Sequence, residues 1–158
     1  MDRFDALILE AIQRDARVTA EALSPLVGLS ADACRKRLAR LRSSGYIEKE
    51  IAVLNPQKVG RGITFIVEVS LENERIADID RFKARIESAP EVMQCYYVTG
   101  SADFILIVSA KDMADYEAFT RRYFFAEENV KRFRSSAVME RVKTGFFVPV
   151  VEAAEEKP

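Results

Sequence analysis

The sequence predicts an α+β protein with a helical N-terminal unit followed by an antiparallel sheet that carries two helices on one face. Three observations predict this fold. Apolar residues recur at helical spacing up to Gly45, and from Ile63 onwards they alternate with a period of two. Between these stretches, Asn55-Pro56 breaks both patterns. The chain length of 158 residues allows one medium domain or two small ones.

The first unit is predicted to contain three helices. Apolar residues between Phe4 and Ile12 lie on one face of a helix that begins at Asp2. Residues 18–45 are typical of two shorter helices joined by a tight turn. Thr19 and Ser30 are suited to cap these two helices, and Gly28 can adopt the left-handed conformation that ends the first of them.

The last of these three helices is strongly basic. Between Ala31 and Arg42 there are five basic residues and one acidic residue, Asp32, while Cys34, Leu38 and Leu41 form an apolar seam. A basic surface opposite such a seam favours docking into a nucleic-acid groove. The alternative is an ordinary helical hairpin whose basic residues only form a solvated face.

After the third helix, Tyr46–Leu54 has the composition of a short exit strand. We therefore expect a winged-type helix-turn-helix domain over residues 1–54 and a linker over residues 55–62. A second domain is expected over residues 63–151, followed by an acidic tail at residues 152–158.

The second domain alternates strands and helices in the order βαββαβ, which is the ferredoxin-like pattern of a four-stranded antiparallel sheet with two helices on one face. The predicted strands cover residues 63–71, 92–98, 103–109 and 133–143, and the predicted helices cover residues 78–89 and 112–125.

The third predicted strand is apolar on both faces. Phe104, Leu106 and Val108 lie on one side, and Ile105 and Ile107 on the other. Two helices cover only one face of a sheet, and an apolar sheet face is not stable in water. We therefore expect a second copy of the chain to cover the other face, giving a symmetric dimer.

Composition excludes several functions. The chain has no histidine, which rules out histidine-based catalytic dyads and the zinc sites that need this residue. The two cysteines are too few for a metal site without histidine and fit a reducing compartment. No apolar run is long enough to span a membrane, and no glycine-rich phosphate loop occurs. We predict no cofactor, no metal and no enzymatic activity.

The whole chain resembles the leucine-responsive and asparagine-regulator (Lrp/AsnC, or feast/famine) family of transcription regulators. The similarity extends over roughly residues 2–151. It is carried by FDALILEAIQRDARVT, LVGLSADACRKRLARLRSSGYIEKEIAVLNP, TGSADFILIVSAKDMADYEAF and SSAVMERVKTGFFVPV. The resemblance implies an N-terminal DNA-binding domain and a C-terminal sensing domain. It also implies cytoplasmic dimers that assemble further, often to octamers, and small effectors, usually amino acids, that bind between dimers.

The expected contacts with double-stranded DNA come from the start and the outward face of the basic helix, because arginine and lysine bind phosphate or guanine edges. One arginine, Arg37 for example, can instead pair with a carboxylate of the first helix. The candidate DNA-binding residues are Ser30, Asp32, Ala33, Arg35, Lys36, Arg37 and Arg40.

The expected effector site is the turn before the third strand together with the polar part of the last strand. Backbone N–H groups around Gly100 can bind a carboxylate, and Asp103 can bind an ammonium group. Equally, Gly100 can be a plain tight turn and Asp103 a cap of loop amides. The candidate effector-binding residues are Tyr97, Thr99, Gly100, Ser101, Asp103, Ser135 and Ser136.

Three classes of function are compatible with the sequence. The first is an effector-responsive, sequence-specific DNA-binding regulator, which the basic helix and the resemblance favour. The second is a small enzyme built on a ferredoxin-like dimer, which the absence of histidine disfavours. The third is a small-molecule-binding module without DNA contact.

Overall fold

The computed structural model describes residues 1–150, which form two compact units. The N-terminal unit consists of residues 1–52 together with residues 143–150, and the second unit consists of residues 53–142. Residues 143–150, which the sequence predicts to belong to the second domain, pack with residues 1–52 in this structure. The predicted acidic tail, residues 152–158, lies outside the described residues.

Three helices form the N-terminal unit: α1 (Arg3–Arg14), α2 (Ala20–Val27) and α3 (Ala31–Ser43). The predicted caps are present, because Thr19 Oγ1 accepts from Ala22 N and Ser30 Oγ accepts from Ala33 N, each at 3.2 Å. Gly28 has a φ of 77°, the left-handed conformation that lets the chain turn between α2 and α3. The three helices share one core, which contains Ile8, Leu9, Ile12, Leu23, Val27, Cys34, Leu38 and Leu41.

The exit strand predicted over Tyr46–Leu54 is absent, and the described part of the N-terminal unit contains no strand that could form a wing. Ile51, Val53 and Leu54 are exposed. The prediction rests on the β-branched composition of this segment, but a strand also needs a hydrogen-bonded partner strand, and the segment has none among residues 1–150. The predicted linker instead forms turns over residues 56–60 within the second unit.

The C-terminal segment returns to α1. The side-chain amide of Gln13 donates to Val148 O (3.1 Å), and its Oε1 accepts from Val148 N (2.8 Å). The guanidinium of Arg14 lies 5.6 Å from the ring centroid of Phe147. Val150 packs against the core of the three helices. The described part of the N-terminal unit thus combines residues 1–52 with residues 143–150.

The second unit is the expected βαββαβ fold. Its elements are β1 (Ile63–Leu71), α4 (Ile76–Glu87), β2 (Val92–Tyr97), β3 (Phe104–Ala110), α5 (Met113–Thr120) and β4 (Val130–Ala137). The four antiparallel strands lie in the order β2-β3-β1-β4, so β1 and β3 are central. This strand order is that of a ferredoxin-like sheet.

The helices bury the inner face of the sheet. Phe82 of α4 contacts Phe104, with ring centroids 4.7 Å apart, and Tyr116 of α5 stacks on Phe65 at 3.7 Å. Val67, Val69, Leu106 and Val108 complete the same core. On the outer face Ile66 is exposed, and Ile105 and Ile107 are only half-buried. The single chain therefore leaves an apolar sheet face partly open, as the sequence predicts.

The limits of α4, β2 and β3 differ from the predicted ones by one or two residues, and two further elements differ by more. The helix expected over residues 112–125 is α-helical only to Thr120 and continues as a π-helical turn over Arg121–Phe125. The last strand was expected over residues 133–143 but covers Val130–Ala137. β4 is antiparallel to β1, which begins at Ile63, and the last pair of their ladder is Phe65 with Ala137. β4 therefore ends near the start of β1, where it loses its hydrogen-bonding partner.

Candidate DNA interface and effector site

The outward face of α3 carries most of the polar residues of that helix. Cys34, Leu38 and Leu41 are buried, and the opposite face exposes Lys36 and Arg40. Asp32, Ala39 and Ser43 lie on the same exposed face, which follows from the 3.6-residue period. Ala39 was not among the sequence candidates, although the same periodicity places it between Lys36 and Arg40.

The candidate residues at the start of α3 differ in exposure and in role. Ser30 is the N-cap of α3, where its hydroxyl accepts from Ala33 N. Ala33 is half-buried, and Asp32 is exposed in the first turn. Hydrogen bonding and the charge of Lys36 lower the pKa of Asp32, so this carboxylate is ionised at neutral pH. Ser30 therefore serves the helix itself, while Asp32 lies on its accessible side.

Arg37 and Arg40 share the carboxylate of Asp5. Arg37 NH1 lies 2.8 Å from Asp5 Oδ1, and Arg40 NH2 lies 2.6 Å from Asp5 Oδ2. Arg37 also contacts Asp2 at 2.7 Å. This confirms the alternative reading of Arg37 as a partner of a first-helix carboxylate, and it adds Arg40, which the sequence analysis assigned to DNA alone.

Among the described acids of this unit, Asp5 has the largest shift in pKa. Burial alone raises its pKa, but hydrogen bonds from Arg40, the backbone of Asp2 and Arg37 outweigh this effect and lower the pKa from 3.8 to about 2. The same contacts with Asp5 and Asp2 raise the pKa of Arg37. Asp5 is only 1% exposed and closes a capping box with Asp2. The buried ion cluster thus fixes α3 against the start of α1.

The other basic side chains of α3 form exposed ion pairs. Arg35 lies 2.8 Å from Glu21 of α2 and 3.5 Å from Asp32. Lys36 Nζ lies 2.9 Å from Asp32 Oδ2. Such exposed pairs are weak and readily exchanged for other partners. Arg35 and Lys36 are therefore free to reorient.

The turn between β2 and β3 is pinned to the end of β1. Asp103 Oδ2 accepts from Leu71 N (2.7 Å), Asp103 N donates to Val69 O (2.9 Å), and Val98 N donates to Asp103 O (2.9 Å). Asp103 is therefore a cap of loop amides in this structure, as the alternative in the sequence analysis states. Gly100 has a φ of 133°, which disfavours any side chain at this position.

The side chain of Arg132, which is not among the residues predicted from the sequence, places a cation beside this turn. Arg132 NH2 donates to Ser101 O (3.2 Å), and its Nε lies 3.4 Å from Ser70 Oγ. Arg132 pairs with Ser70 across the β1–β4 ladder. Because strands alternate with a period of two, the position of Ser136 on the outer face already predicts Arg134 and Arg132 there.

The remaining effector candidates are not brought together. Ser135 hydrogen-bonds the hydroxyl of Tyr116 on the helix side, whereas Ser136 pairs with Ile66 and shares the outer face. Ser136 lies four positions after Arg132, which corresponds to about 13 Å along β4. Tyr97 packs on the helix side, with its ring 5.1 Å from Phe104. Thr99, Gly100 and Ser101 remain exposed in the turn.

The described residues hold no group of three or more His, Cys, Asp or Glu side chains placed to bind a metal ion. None of the helices within residues 1–150 combines the length and the hydropathy needed to cross a lipid bilayer.

A helix-turn-helix unit with an exposed basic second helix, followed by a separate α+β unit, defines a DNA-binding regulator with a sensing domain. Residues 1–42 match the AsnC-type helix-turn-helix domain, and residues 64–146 match the Lrp/AsnC ligand binding domain. The chain belongs to the Lrp/AsnC family of transcription regulators, and the predictions of fold, family and function class are confirmed.

Individual relatives agree over nearly the whole chain. An uncharacterized HTH-type transcriptional regulator of Sinorhizobium fredii is 53% identical over 95% of this chain and 89% of its own length. The leucine-responsive regulatory protein of Salmonella typhimurium is 32% identical over 90% of this chain and 87% of its own. The crystal structure of a Neisseria meningitidis transcriptional regulator in complex with L-Met has a TM-score of 0.89. It is 29% identical, covering 94% of this chain and 96% of that one. Family and relatives are regulators rather than enzymes.

Proposed function

We propose that this regulator binds its operator through the outward face of α3, with Lys36 and Arg40 as the main cations, and that an amino acid modulates this binding. The observation that supports the DNA contact is the exposed stripe of Asp32, Lys36, Ala39, Arg40 and Ser43 opposite the core. Of the other candidates, Arg35 lies beside this stripe, and Ser30 and Ala33 form the N-cap hydrogen bond of α3. Arg37 is mainly a structural partner of Asp5.

Lys36→Ala tests the DNA contact. Lys36 is exposed and pairs with Asp32, which is also exposed, so its loss should leave the fold intact. If Lys36 binds phosphate, the affinity for a duplex from upstream of the protein's own gene should fall. The salt slope, which is the steepness with which the logarithm of the binding constant falls with the logarithm of salt concentration, should decrease by about one. If Lys36 instead contacts a base edge, its loss should reduce the binding free energy by about 1–3 kcal/mol through the contact with that one base pair. Fluorescence anisotropy at several salt concentrations measures both.

Lys131→Ala is the matched control, because Lys131 is an exposed lysine of the second unit that pairs with Glu72 at 3.2 Å. It removes the same charge without touching α3. Equal affinities for wild type and Lys36→Ala would contradict the assignment of the DNA interface to this face.

An amino acid is the proposed effector because the crystal structure of one relative is a complex with L-Met and a second relative is named a leucine-responsive regulatory protein. In this chain the support is chemical: the exposed turn at Thr99–Ser101 offers backbone donors, and Arg132 places a guanidinium beside it. Both groups suit a carboxylate. Ser136 lies about 13 Å away along β4, so it can only contribute to the same site from another copy of the chain.

Gly100→Val tests this site. A branched side chain strains a backbone with a φ of 133°, so the turn should change shape and lose its ligand. We expect at least one of the twenty amino acids to raise the melting temperature of wild type and to have little effect on the variant. Val59→Ala, an exposed position in the turns after Pro56, is the control. Equal stabilisation of wild type and Gly100→Val would place the effector elsewhere.

We further propose that two chains pair through the open outer face of the sheet, that dimers assemble into higher oligomers such as octamers, and that the regulator works in the cytoplasm. The partly exposed Ile66, Ile105 and Ile107 support the dimer. A dimer presents two α3 helices, so its operator should be a rough palindrome.

A further inference from the structure

The basic helix α3 is not a free cationic surface, because each of its five basic side chains already has a carboxylate partner. Four of these five carboxylates lie outside α3, at the start of α1, in α2 or in the segment after α3, and one, Asp32, belongs to α3 itself. The pairs are Arg35–Glu21, Lys36–Asp32, Arg37–Asp2, Arg37–Asp5, Arg40–Asp5 and Arg42–Glu50. The local excess of positive charge is therefore matched by acids that lie within hydrogen-bond distance.

These partners differ in burial, and the difference divides their roles. The Asp5 side chain is 1% exposed and contacts two arginines as well as the backbone of Asp2, so it cannot withdraw without breaking the helix packing. The Asp32 side chain is 62% exposed and contacts Lys36 (2.9 Å) and Arg35 (3.5 Å). Asp32 is thus the acid on the side of α3 proposed to face DNA, and it forms ion pairs with two exposed side chains, Lys36 and Arg35, that can change partner.

Any duplex that approaches this face brings phosphates toward Lys36. Lys36 must then leave Asp32 or share its charge between the carboxylate and a phosphate, and Asp32 itself repels the phosphate. This opposition is the same for every DNA sequence, because all sequences carry the same backbone. Base contacts, which only the correct operator supplies, are needed to overcome it.

We propose that Asp32 determines specificity: its carboxylate competes with DNA phosphate for Lys36 and Arg35, and so suppresses binding to non-specific DNA. This proposal rests on the proposed contact of α3 with DNA. It is separate from the effect of Asp32 on helix stability. An acid in the first turn of a helix also stabilises that helix, but this contributes to folding and predicts no gain in DNA affinity when the charge is removed.

The test compares wild type with Asp32→Asn on a duplex of random sequence, by fluorescence anisotropy between low and moderate salt. We expect non-specific affinity to rise about two- to fivefold at low salt, the range that an exposed ion pair supports. The salt slope should become steeper by up to about one unit, because Lys36 then neutralises a phosphate without leaving a carboxylate unpaired. Melting temperatures establish that both proteins are folded at the temperature of the assay.

Two further variants make the result specific. Glu117→Gln removes an acid of similar exposure that pairs with Arg121 at 2.7 Å in the second unit, so it changes the net charge equally without affecting α3. It should leave DNA affinity unchanged. Glu21→Gln frees Arg35 from α2, outside the recognition helix, and should raise non-specific affinity in the same direction as Asp32→Asn. It also tests the proposal if Asp32→Asn folds poorly.

Four results would overturn the proposal. Unchanged affinity in both Asp32→Asn and Glu21→Gln, with Lys36→Ala still weakening binding, would refute the competition while leaving the DNA interface in place. Weaker binding by Asp32→Asn would mean that Asp32 makes a favourable DNA contact. An equal gain in Glu117→Gln would attribute the effect to net charge. No change in Lys36→Ala either would remove the proposed interface itself, and the competition with it.

Discussion

At the scale of single residues, one buried carboxylate connects two helices. Asp5 of α1 accepts from Arg37 and Arg40 of α3, and its own oxygen also accepts from Asp2 N at 3.1 Å. A charge this well buried is stable only when it is paired and hydrogen-bonded. The alignment of α3 with α1 therefore depends on Asp5 being ionised.

This dependence predicts a loss of stability in acid. The pKa of Asp5 is lowered from 3.8 to about 2 by folding, so the folded state binds its proton less readily than the unfolded chain. The resulting contribution of about 2 kcal/mol is fully present above pH 4 and is lost as the pH falls toward 2. Urea unfolding of wild type and Asp5→Asn, followed by far-UV circular dichroism from pH 2 to pH 7, should show this step in wild type alone.

The control is Asp80→Asn, since Asp80 is 65% exposed and lies 3.5 Å from Lys83. Its free energy of unfolding should follow wild type at every pH. Parallel curves for wild type and Asp5→Asn would show that the ion cluster does not stabilise the folded state.

At the scale of elements, the sequence predicts best where periodicity alone decides the structure. The alternation of residues 63–71 sets both ends of β1, and the apolar seam and caps of α3 set that helix closely. Periodicity does not tell where a strand loses its partner, which is why β4 was placed too far along the chain. It also does not distinguish an α-helix from the π-helical turn at Arg121–Phe125, because both bury Phe124.

The candidate sites were likewise predictable only where periodicity alone places a residue. Helical spacing was enough to place Lys36 and Arg40 on the exposed face of α3. Long-range partners were not visible in the sequence: Asp103 bonds to Leu71, and Arg132 reaches Ser101, 31 residues away along the chain. Such long-range contacts determine which polar groups are already hydrogen-bonded within the protein. These groups can therefore be identified only once the fold is known.

The docking of the C-terminal segment on α1 predicts that Gln13 stabilises the N-terminal unit. Gln13→Ala removes two hydrogen bonds to Val148 and should lower the free energy of unfolding by about 1 kcal/mol, the usual range for bonds of this kind near the surface. Hydrogen exchange should also show faster exchange at the Val148 amide. Gln57→Ala, at an exposed turn position of the second unit, is the control. Unaltered exchange at Val148 in Gln13→Ala would mean that this contact does not hold the segment.

At the scale of the whole molecule, we expect the open sheet face to govern the proposed assembly of two chains. Ile66, Ile105 and Ile107 lie on this face, and the described residues of the single chain leave them partly exposed. Burying such a face against a second copy gains roughly 25 cal/mol per Å² of apolar surface. Pairing also brings two α3 helices into one particle, which a palindromic operator requires.

Ile107→Glu should therefore dissociate the proposed dimer. Ile107 lies on the central strand β3, opposite Ile66, so a carboxylate at this position would be buried without a partner in the paired sheets. Sedimentation velocity should show wild type as a dimer or larger and Ile107→Glu shifted toward monomer. Ile76→Glu is the control, because Ile76 is 79% exposed at the start of α4, where a negative charge is tolerated by the helix dipole. A monomeric wild type, or an Ile107→Glu variant that assembles like wild type, would show that this face is not the one through which the chains pair.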